Sequence, residues 1–441
     1  MASTPQREES RGARYESARA AGVVADPGIP TRPSNFQSRS GEPARIGTLQ
    51  YSRRGGRPAR HKRRLVLVTG NYDTVADGVS RTLTRLVEYL ERHGYEVLVV
   101  GPKRSPDSRQ SGGAYLIVPS IPVPGRSEYQ FALRLPMKAR AAIETFDPHL
   151  VHIATPDLLG FRTLAWAGAH DVPVVSSYHT HFPSYLGFYH AGVLKPALER
   201  YLTWFYVRCR HVYVPTRLLE DYARGLGLDR NIRRWGRGVD CLEFSPAWRS
   251  EVWRRRRGFR ADNVVVTFVG RLVREKGLDV FAGVVERLLA TGAPIRSMIV
   301  GDGPLRSMLQ ERLPETTFTG HLEGEDLARA YAGSDVFLFP SETEAFGNVI
   351  VEAMASALPV VATARSGSSC HVRAERTGLL APPGDVETFS RQTLRLALDA
   401  SLRDCMGRQG RGYAKTYDWT RTLDRMLSYY DELLDAPETQ P

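Results

Sequence analysis

Two glutamates, Glu344 and Glu352, are separated by seven residues in a segment that reads as strand, loop and helix. Gly347 is expected to open the helix, so Glu344 lies just before its N-terminus and Glu352 about a turn and a half inside it. Carboxylates there can accept hydrogen bonds from sugar hydroxyls, and the backbone N–H groups of the helix start face an anion. We predict that these residues, with Phe346 and Asn348, bind a ligand.

Two cations, Arg271 and Lys276, follow the apolar run at 264–269. A run of this kind predicts a buried parallel strand, which places both cations at the carboxyl edge of a sheet. Arginine can bind two phosphate oxygens at once, and lysine adds a mobile positive charge, so the pair suits a diphosphate. Surface ion pairing, for example with Glu275, is the alternative interpretation.

The stretch Gly301-Asp302-Gly303 ends the next predicted strand, and its glycines would let a nucleotide approach the backbone closely. A dinucleotide fingerprint requires a third glycine where this chain has Arg306. We therefore expect donor binding through residues 301–303 and disfavour a nicotinamide dinucleotide.

The first half of the chain offers two further candidates. His179 follows a predicted strand and could reach a ligand held by the second half. The loop with Asp77, Gly78 and Ser80 lies between the first strand and its helix, where phosphates and acceptors are often bound. We assign His179 to the catalytic set and this loop to the acceptor side.

Strands and helices alternate from residue 65 and again from residue 264, which predicts an α/β fold of two doubly wound, Rossmann-like domains. We place the first domain at 63–245, an Arg-rich linker at 246–262, the second domain at 263–416 and a helix packing back on the first domain at 417–435. Two such domains facing each other across a cleft would bring the carboxyl ends of both sheets to the ligand.

The distribution of charge along the chain narrows the classes of function that the protein could have. Residues 1–64 contain 14 Lys and Arg against five Asp and Glu, which is +9 of the total net charge of +12. Residues 249–260 add six Arg against one Glu, so the remaining body is near neutral and no nucleic-acid interface is expected. Residues 1–62 lack apolar clusters and are predicted to be a disordered basic tail; binding of this tail to an anionic membrane surface or to nucleic acid stays open.

Other classes are disfavoured by what the chain lacks. No stretch reaches the roughly 18 consecutive apolar residues of a membrane-spanning helix. The four cysteines are far apart, so we expect reduced thiols in a cytoplasmic protein. There is no Asp-x-Asp motif, so we expect neither a bound metal nor a cofactor.

These motifs, in this order over residues 65–434, resemble family 4 of the retaining glycosyltransferases of GT-B fold. The segments 178–180 and 235–240 are similar to the branch of GDP-mannose-dependent mannosyltransferases and sulfoquinovosyl transferases. The resemblance implies that Arg271 and Lys276 bind the donor diphosphate, Glu344 the sugar hydroxyls and Glu352 the ribose, while His179 contacts the sugar.

The resemblance implies a retaining, metal-independent hexosyltransferase that uses a nucleotide diphosphate sugar, with a mannose-type hexose favoured. Its acceptor would be a glycolipid or polysaccharide precursor, and a peripheral contact with the inner face of an anionic membrane is an open alternative. Two competing hypotheses stay open. The protein could be a transferase with a soluble small-molecule acceptor, or a non-catalytic protein that binds a nucleotide sugar. We expect no nucleic-acid partner.

Overall fold

The computed structural model describes residues 62–70, 72, 78–103, 113–123, 126–188, 192–364 and 366–435. The predicted tail, apart from Lys62, and the acceptor-side candidate Asp77 therefore lie outside the described residues.

The first domain is built on a seven-stranded parallel sheet with the strand order β3-β2-β1-β6-β7-β8-β9. Its strands, with the antiparallel hairpin β4–β5, are β1 (Arg63–Val68), β2 (Tyr95–Gly101), β3 (Ala114–Ile117), β4 (Ser120–Val123), β5 (Arg126–Ala132), β6 (Leu150–Ile153), β7 (Val174–Ser177), β8 (His211–Val214) and β9 (Ile232–Arg234). The helices are α1 (Gly78–Arg92), α2 (Met137–Phe146), α3 (Leu158–Ala169), α4 (Phe182–Phe188), α5 (Lys195–Tyr206) and α6 (Arg217–Gly225). The order reverses between β1 and β6, which opens a crevice at the carboxyl ends of these strands.

The second domain has a six-stranded parallel sheet with the order β12-β11-β10-β13-β14-β15. Its strands are β10 (Val264–Val269), β11 (Ile295–Val300), β12 (Thr317–Gly320), β13 (Val336–Phe339), β14 (Val360–Thr363) and β15 (Gly378–Ala381). Its helices, and those that flank it, are α7 (Glu251–Arg256), α8 (Leu278–Leu289), α9 (Arg306–Arg312), α10 (Gly324–Ala332), α11 (Asn348–Ala355), α12 (Val386–Leu398), α13 (Ala400–Ala414) and α14 (Trp419–Asp435). The prediction of two parallel α/β domains is confirmed, because the central strands are apolar and buried on both faces.

Helix α14 packs on the first domain, although it follows the second one in the chain. Leu423, Met426 and Tyr430 are buried in one apolar cluster with residues of β1, α1 and β2, such as Leu65 and Leu83. The chain thus crosses between the domains twice, at residues 235–246 and 415–419. The two crossings are joined by the Val239 N–H, which donates to the Tyr417 carbonyl at 2.8 Å.

A buried histidine fixes α14 to the sheet of the first domain. His152, on β6, is fully buried, and its two ring nitrogens lie 2.6 Å from Tyr430 Oη and 2.6 Å from Ser177 Oγ. Both ring nitrogens are engaged, and burial lowers the pKa of His152 to about 3. The imidazole is therefore neutral, and its hydrogen bonds link the last helix to the strand that precedes His179.

We expect the fold to be acid-sensitive. Burial lowers the pKa of five histidines, to about 3 for His152, to about 4 for His181, His211 and His371, and well below the usual range for His179. Because an unfolded histidine titrates near 6.5, the unfolded chain binds more protons below that pH, and stability falls as the pH drops. His152 alone should lower the free energy of unfolding by about 2 kcal/mol between pH 7.5 and pH 5.

The measurement is the free energy of unfolding from denaturant titrations at the two pH values. His152→Gln should lose about 2 kcal/mol less than the wild type does on acidification. His93→Gln, at an exposed position after α1, is the matched control and should behave as the wild type. An unchanged pH dependence in His152→Gln would contradict the expectation.

Residues 249–260 include one arginine that is buried, although Arg249, Arg255, Arg256 and Arg260 are exposed. Arg254, on α7, is 1% exposed, and its guanidinium donates to the carbonyls of Gly333 and Asn263 and to the carboxylate of Asp335. This network satisfies the charge of Arg254 against the second domain, while the Arg-rich linker at 246–262 stays a prediction.

No helix among the described residues is long and apolar enough to cross a membrane.

Candidate active site

The carboxyl ends of both sheets meet at a cleft of about 940 Å³. The first domain contributes the residues after β1, β6 and β7, and the second contributes those after β10, β11 and β13. The two walls touch behind the cleft, where Thr216 Oγ1 donates to the Ala345 carbonyl at 3.3 Å. Ligand sites in open α/β folds form at such strand ends, so this cleft is the candidate active site.

Glu344 lies in the loop between β13 and α11. Its carboxylate binds the ammonium of Lys276, and Ser341 Oγ donates to Glu344 Oε1 at 3.0 Å. Burial alone would raise the pKa of Glu344, but Lys276, Ser341 and Arg237 outweigh it and hold that pKa below its usual range. Glu344 is therefore an ionised hydrogen-bond acceptor that is paired with the ammonium of Lys276 in the cleft.

Glu352 lies on α11, which begins at Asn348 after Gly347 in the left-handed conformation (φ 88°). Tyr331 Oη donates to Glu352 Oε2 at 2.9 Å, and Arg81 from α1 lies 3.8 Å from Oε1. Burial raises the pKa of Glu352, an effect that Arg81 and Tyr331 only partly offset. The two carboxylates of this segment thus have opposite tendencies: Glu344 is held ionised, and Glu352 is more readily protonated.

Arg271 follows β10 and lines the same cleft as Lys276. Gly301, at the end of β11, packs directly on the backbone of Gly270 with φ 137°, where a Cβ would collide with the Gly270 carbonyl. This close approach keeps the ends of β10 and β11 together, and Gly301 and Asp302 both line the cleft. Asp302 is exposed and pairs with Arg306 at 2.8 Å, so its carboxylate is already engaged.

Two predicted residues do not line the cleft. Gly303 packs against the backbone of Leu272, so it supports the loop and does not face the ligand. Ser80 is buried inside α1, with 4% of its surface exposed, whereas Gly78, Val79 and Arg81 of that helix line the cleft. Both residues therefore support the cleft wall by packing and do not line the cleft themselves.

His179 comes from β7 of the first domain and reaches the cleft opposite Glu344. It is 9% exposed, and its Nδ1 lies 3.4 Å from the Arg237 guanidinium. Burial first, and then the charge of Arg237, hold the pKa of His179 well below its usual range. The imidazole is neutral, and its Nε2 has no hydrogen-bond partner within the described part of the chain. A hydroxyl of a bound sugar would supply that partner.

Arg237 is a site residue that the sequence prediction missed. It follows β9, is 6% exposed and lines the cleft between His179 and the start of α1. Its charge helps to keep Glu344 ionised. In the sequence, Arg237 could have been found because it stands between two glycines, Gly236 and Gly238, at a chain crossing. A cation buried at such a place needs an anionic partner or ligand.

Gly78 brings the first domain against Asn348 of the second. A Cβ at Gly78 would collide with Asn348 Nδ2 and would lie 3.0 Å from Arg237 Nη1. Asn348 Oδ1 is buried and has no hydrogen-bond partner among the described residues. The two domains therefore meet closely at the helix start that faces the ligand.

We expect Gly78→Ala to lower kcat/KM by about 10- to 100-fold, because the added methyl group pushes α1 away from Asn348 and misplaces the two walls. Steady-state kinetics with a saturating acceptor measures the effect. Gly168→Ala is the matched control, since a Cβ at that position in α3 meets no atom within 4 Å. Equal activity in the two variants would show that this contact does not matter for turnover.

Comparison with known proteins agrees with this geometry. Residues 76–242 match the family model described as Glycosyltransferase Family 4, and residues 263–399 match the model described as Glycosyl transferases group 1. A GDP-mannose-dependent alpha-mannosyltransferase of Mycobacterium tuberculosis is 33% identical over 86% of this chain and 98% of its own. The sulfoquinovosyl transferase SQD2 of Arabidopsis thaliana is 32% identical over 78% of this chain and 68% of its own.

Solved structures of the same architecture are also similar. The sucrose-phosphate synthase of Thermosynechococcus elongatus superposes with a TM-score of 0.69 at 21% identity, covering 85% of this chain and all of that one. Anabaena HepE, solved with UDP and glucose, superposes with a TM-score of 0.67 at 16% identity over 84% of this chain and all of its own. Identities this low establish the fold alone. The family matches, the identity to full-length relatives and the two facing domains together show that the chain belongs to the family 4 glycosyltransferases of GT-B fold.

Proposed function

We propose that the protein is a retaining hexosyltransferase that moves a mannose-type hexose from a nucleoside diphosphate sugar to a glycolipid or polysaccharide-precursor acceptor. The observation that supports this best is the convergence in one cleft of Arg271, the Lys276–Glu344 pair, Glu352 and a neutral His179. GDP-mannose is the favoured donor, because a relative that is similar over nearly its whole length uses it according to its name.

The second domain would bind the donor. Arg271 and Lys276 neutralise the diphosphate, and the backbone N–H groups at the start of α11 add positive potential. Glu344 accepts hydrogen bonds from the sugar hydroxyls, and Glu352 binds the ribose. Phe346, Asn348, Gly301 and Asp302 complete the walls around these groups.

Transfer would need stabilisation of the charge that develops on the departing diphosphate. Arg271, Lys276 and the α11 N-terminus are fixed in place before reaction, so they stabilise that charge without reorganisation. We infer a metal-independent route in which the leaving phosphate helps to deprotonate the acceptor on the same face, giving retention at the anomeric carbon. His179 orients the transferred sugar through its Nε2, and burial together with the charge of Arg237 keeps that imidazole neutral.

The acceptor side is apolar, which favours a lipid-linked acceptor. Phe131, Leu186, Leu198 and Leu202 of the first domain line the cleft opposite the donor residues. Beyond the rim, Leu133 and Met137 are 40% and 77% exposed, next to Arg134 and Lys138. Exposed apolar groups beside cations suit the surface of an anionic membrane, and we propose a peripheral contact there.

A donor panel tests the proposal. Purified protein would be incubated with GDP-mannose, UDP-glucose, ADP-glucose and UDP-sulfoquinovose, with and without a membrane extract, while nucleoside diphosphate release is followed. We expect release from GDP-mannose that depends on the extract and survives chelation of metals, and an α-linked product by NMR. Tight nucleotide binding without turnover for every donor and acceptor would favour the non-catalytic hypothesis, and turnover with a soluble acceptor such as inositol phosphate alone would overturn the lipid assignment.

A further inference from the structure

A second cavity, of about 420 Å³, adjoins the candidate active site where the chain crosses between the domains. We call it the hinge pocket, and it is lined by Pro215, Thr216, Arg217, Arg234, Trp235, Gly236, Arg237, Phe346, Cys370, His371, Tyr413, Thr416, Tyr417, Arg421, Thr422 and Arg425. Its walls come from the start of α6, from both crossings and from α14. Its volume lies in the range of small-molecule sites.

The hinge pocket is strongly electropositive, because five arginines and no carboxylate line it. Arg234 is neutralised by Glu220, and Arg237 also faces the active-site cleft. The other three, Arg217, Arg421 and Arg425, have no carboxylate within 4.0 Å in the part of the chain that the structure describes. Glu220 also attracts Arg217 electrostatically, so Arg421 and Arg425 have the least compensated charges. Several guanidinium groups around one cavity favour a multiply charged anion.

The hydroxyls in the same walls are already engaged. Thr416 and Thr422 donate to the carbonyls of Tyr413 and Asp418, and Tyr417 Oη lies 2.9 Å from both Tyr413 Oη and His371 Nδ1. The N-terminus of the nine-residue helix α6, capped by Thr216, opens on this side as well. The arginine forks therefore supply the contacts that suit a bound phosphate.

We propose that the hinge pocket is a second anion site, which binds a phosphorylated small molecule other than the sugar donor. This goes beyond the proposed transfer reaction, since none of the three unpaired arginines lines the active-site cleft. The bound phosphate contacts α6 of the first domain and the crossing at Thr416 and Tyr417 at the same time. It also touches the far side of Phe346, whose carbonyl lies 2.8 Å from His371 Nε2.

Calorimetric titration with pyrophosphate tests the proposal on the full-length protein, because pyrophosphate fits both anion sites. We expect two binding events in the wild type. Arg271→Gln should weaken the active-site event by about 10- to 100-fold, and the double variant Arg421→Gln/Arg425→Gln should weaken the other event at least tenfold. Arg391→Gln/Arg408→Gln removes two exposed charges from α12 and α13 outside the pocket and should retain both events.

Two further experiments make the test of the hinge pocket decisive. Arg217→Gln removes a charge from the α6 side of the hinge pocket. It should therefore weaken pyrophosphate binding at this pocket even if the α14 double variant is unstable. Sedimentation with phosphatidate vesicles separates a lipid headgroup from a free phosphate. A single event in the wild type that Arg271→Gln abolishes would overturn the proposal, and so would vesicle binding that needs Arg421 and Arg425 without any pyrophosphate event at this pocket. Because these readouts measure binding, they stay informative if the proposed transfer reaction is wrong.

Discussion

Replacing Glu344 by glutamine is expected to lower kcat/KM for sugar transfer by about 100- to 1000-fold, the range seen when one fixed polar contact to a transition state is removed. The glutamine keeps the shape of the side chain but loses the charge that binds Lys276 and that we propose accepts the sugar hydroxyls. Lys276 then faces the cleft without its carboxylate partner. Initial rates of nucleoside diphosphate release with the favoured donor measure the effect.

The chain offers a matched control two residues away. Glu342 belongs to the same loop but is exposed, so Glu342→Gln removes an equal charge without touching the cleft. It should keep nearly full activity, and the unfolding temperature of both variants should stay within a few degrees of the wild type. Full transfer activity in a folded Glu344→Gln protein would refute the assignment of this carboxylate.

Replacing Arg271 by glutamine should weaken the binding of a nucleoside diphosphate by about 10- to 100-fold. A hydrogen bond to a charged group contributes about 1.5–3 kcal/mol, and 1.4 kcal/mol corresponds to a factor of ten in affinity. Calorimetry with GDP and UDP measures the change directly. The salt dependence of the affinity should also become shallower, because one cation fewer faces the phosphates.

Arg274 is the control for this prediction, because it follows in the same loop and is exposed outside the cleft. Arg274→Gln should leave both the affinity and its salt dependence unchanged. Equal losses in the two variants would mean that the general charge of the loop attracts the nucleotide. In that case Arg271 would have no special place in the site.

The central strands of both sheets could be predicted because they are short apolar runs buried on both faces, as in β10 and β13. Two edge strands, β9 and β15, could not. Strand β9 (Ile232–Arg234) has two arginines among its three residues, and its pairing with β8 is set by the edge of the sheet rather than by its own composition. The hairpin β4–β5 was likewise not anticipated, and its strands pair only with each other.

The second domain's part of the site was accessible to sequence reasoning because each residue follows a recognisable strand within a few positions. Arg271 and Glu344 are of this kind. Arg237 was missed because its importance arises from the junction of the two domains, where it meets His179. Arg254 was misjudged for a related reason, since a run of arginines does not reveal that one of them reaches buried carbonyls far along the chain.

The position of α14 has a consequence for how the protein is made. The apolar face of the first domain around Leu65 and Leu83 is covered by Leu423, Met426 and Tyr430, which are translated only after the whole second domain. While the second domain is being synthesised, α14 is not yet available to pack on that face. The apolar surface is then exposed to solvent and prone to aggregation. The nascent polypeptide should therefore depend on chaperones until α14 emerges, and shortening the chain before Trp419 should yield inclusion bodies rather than a working first half.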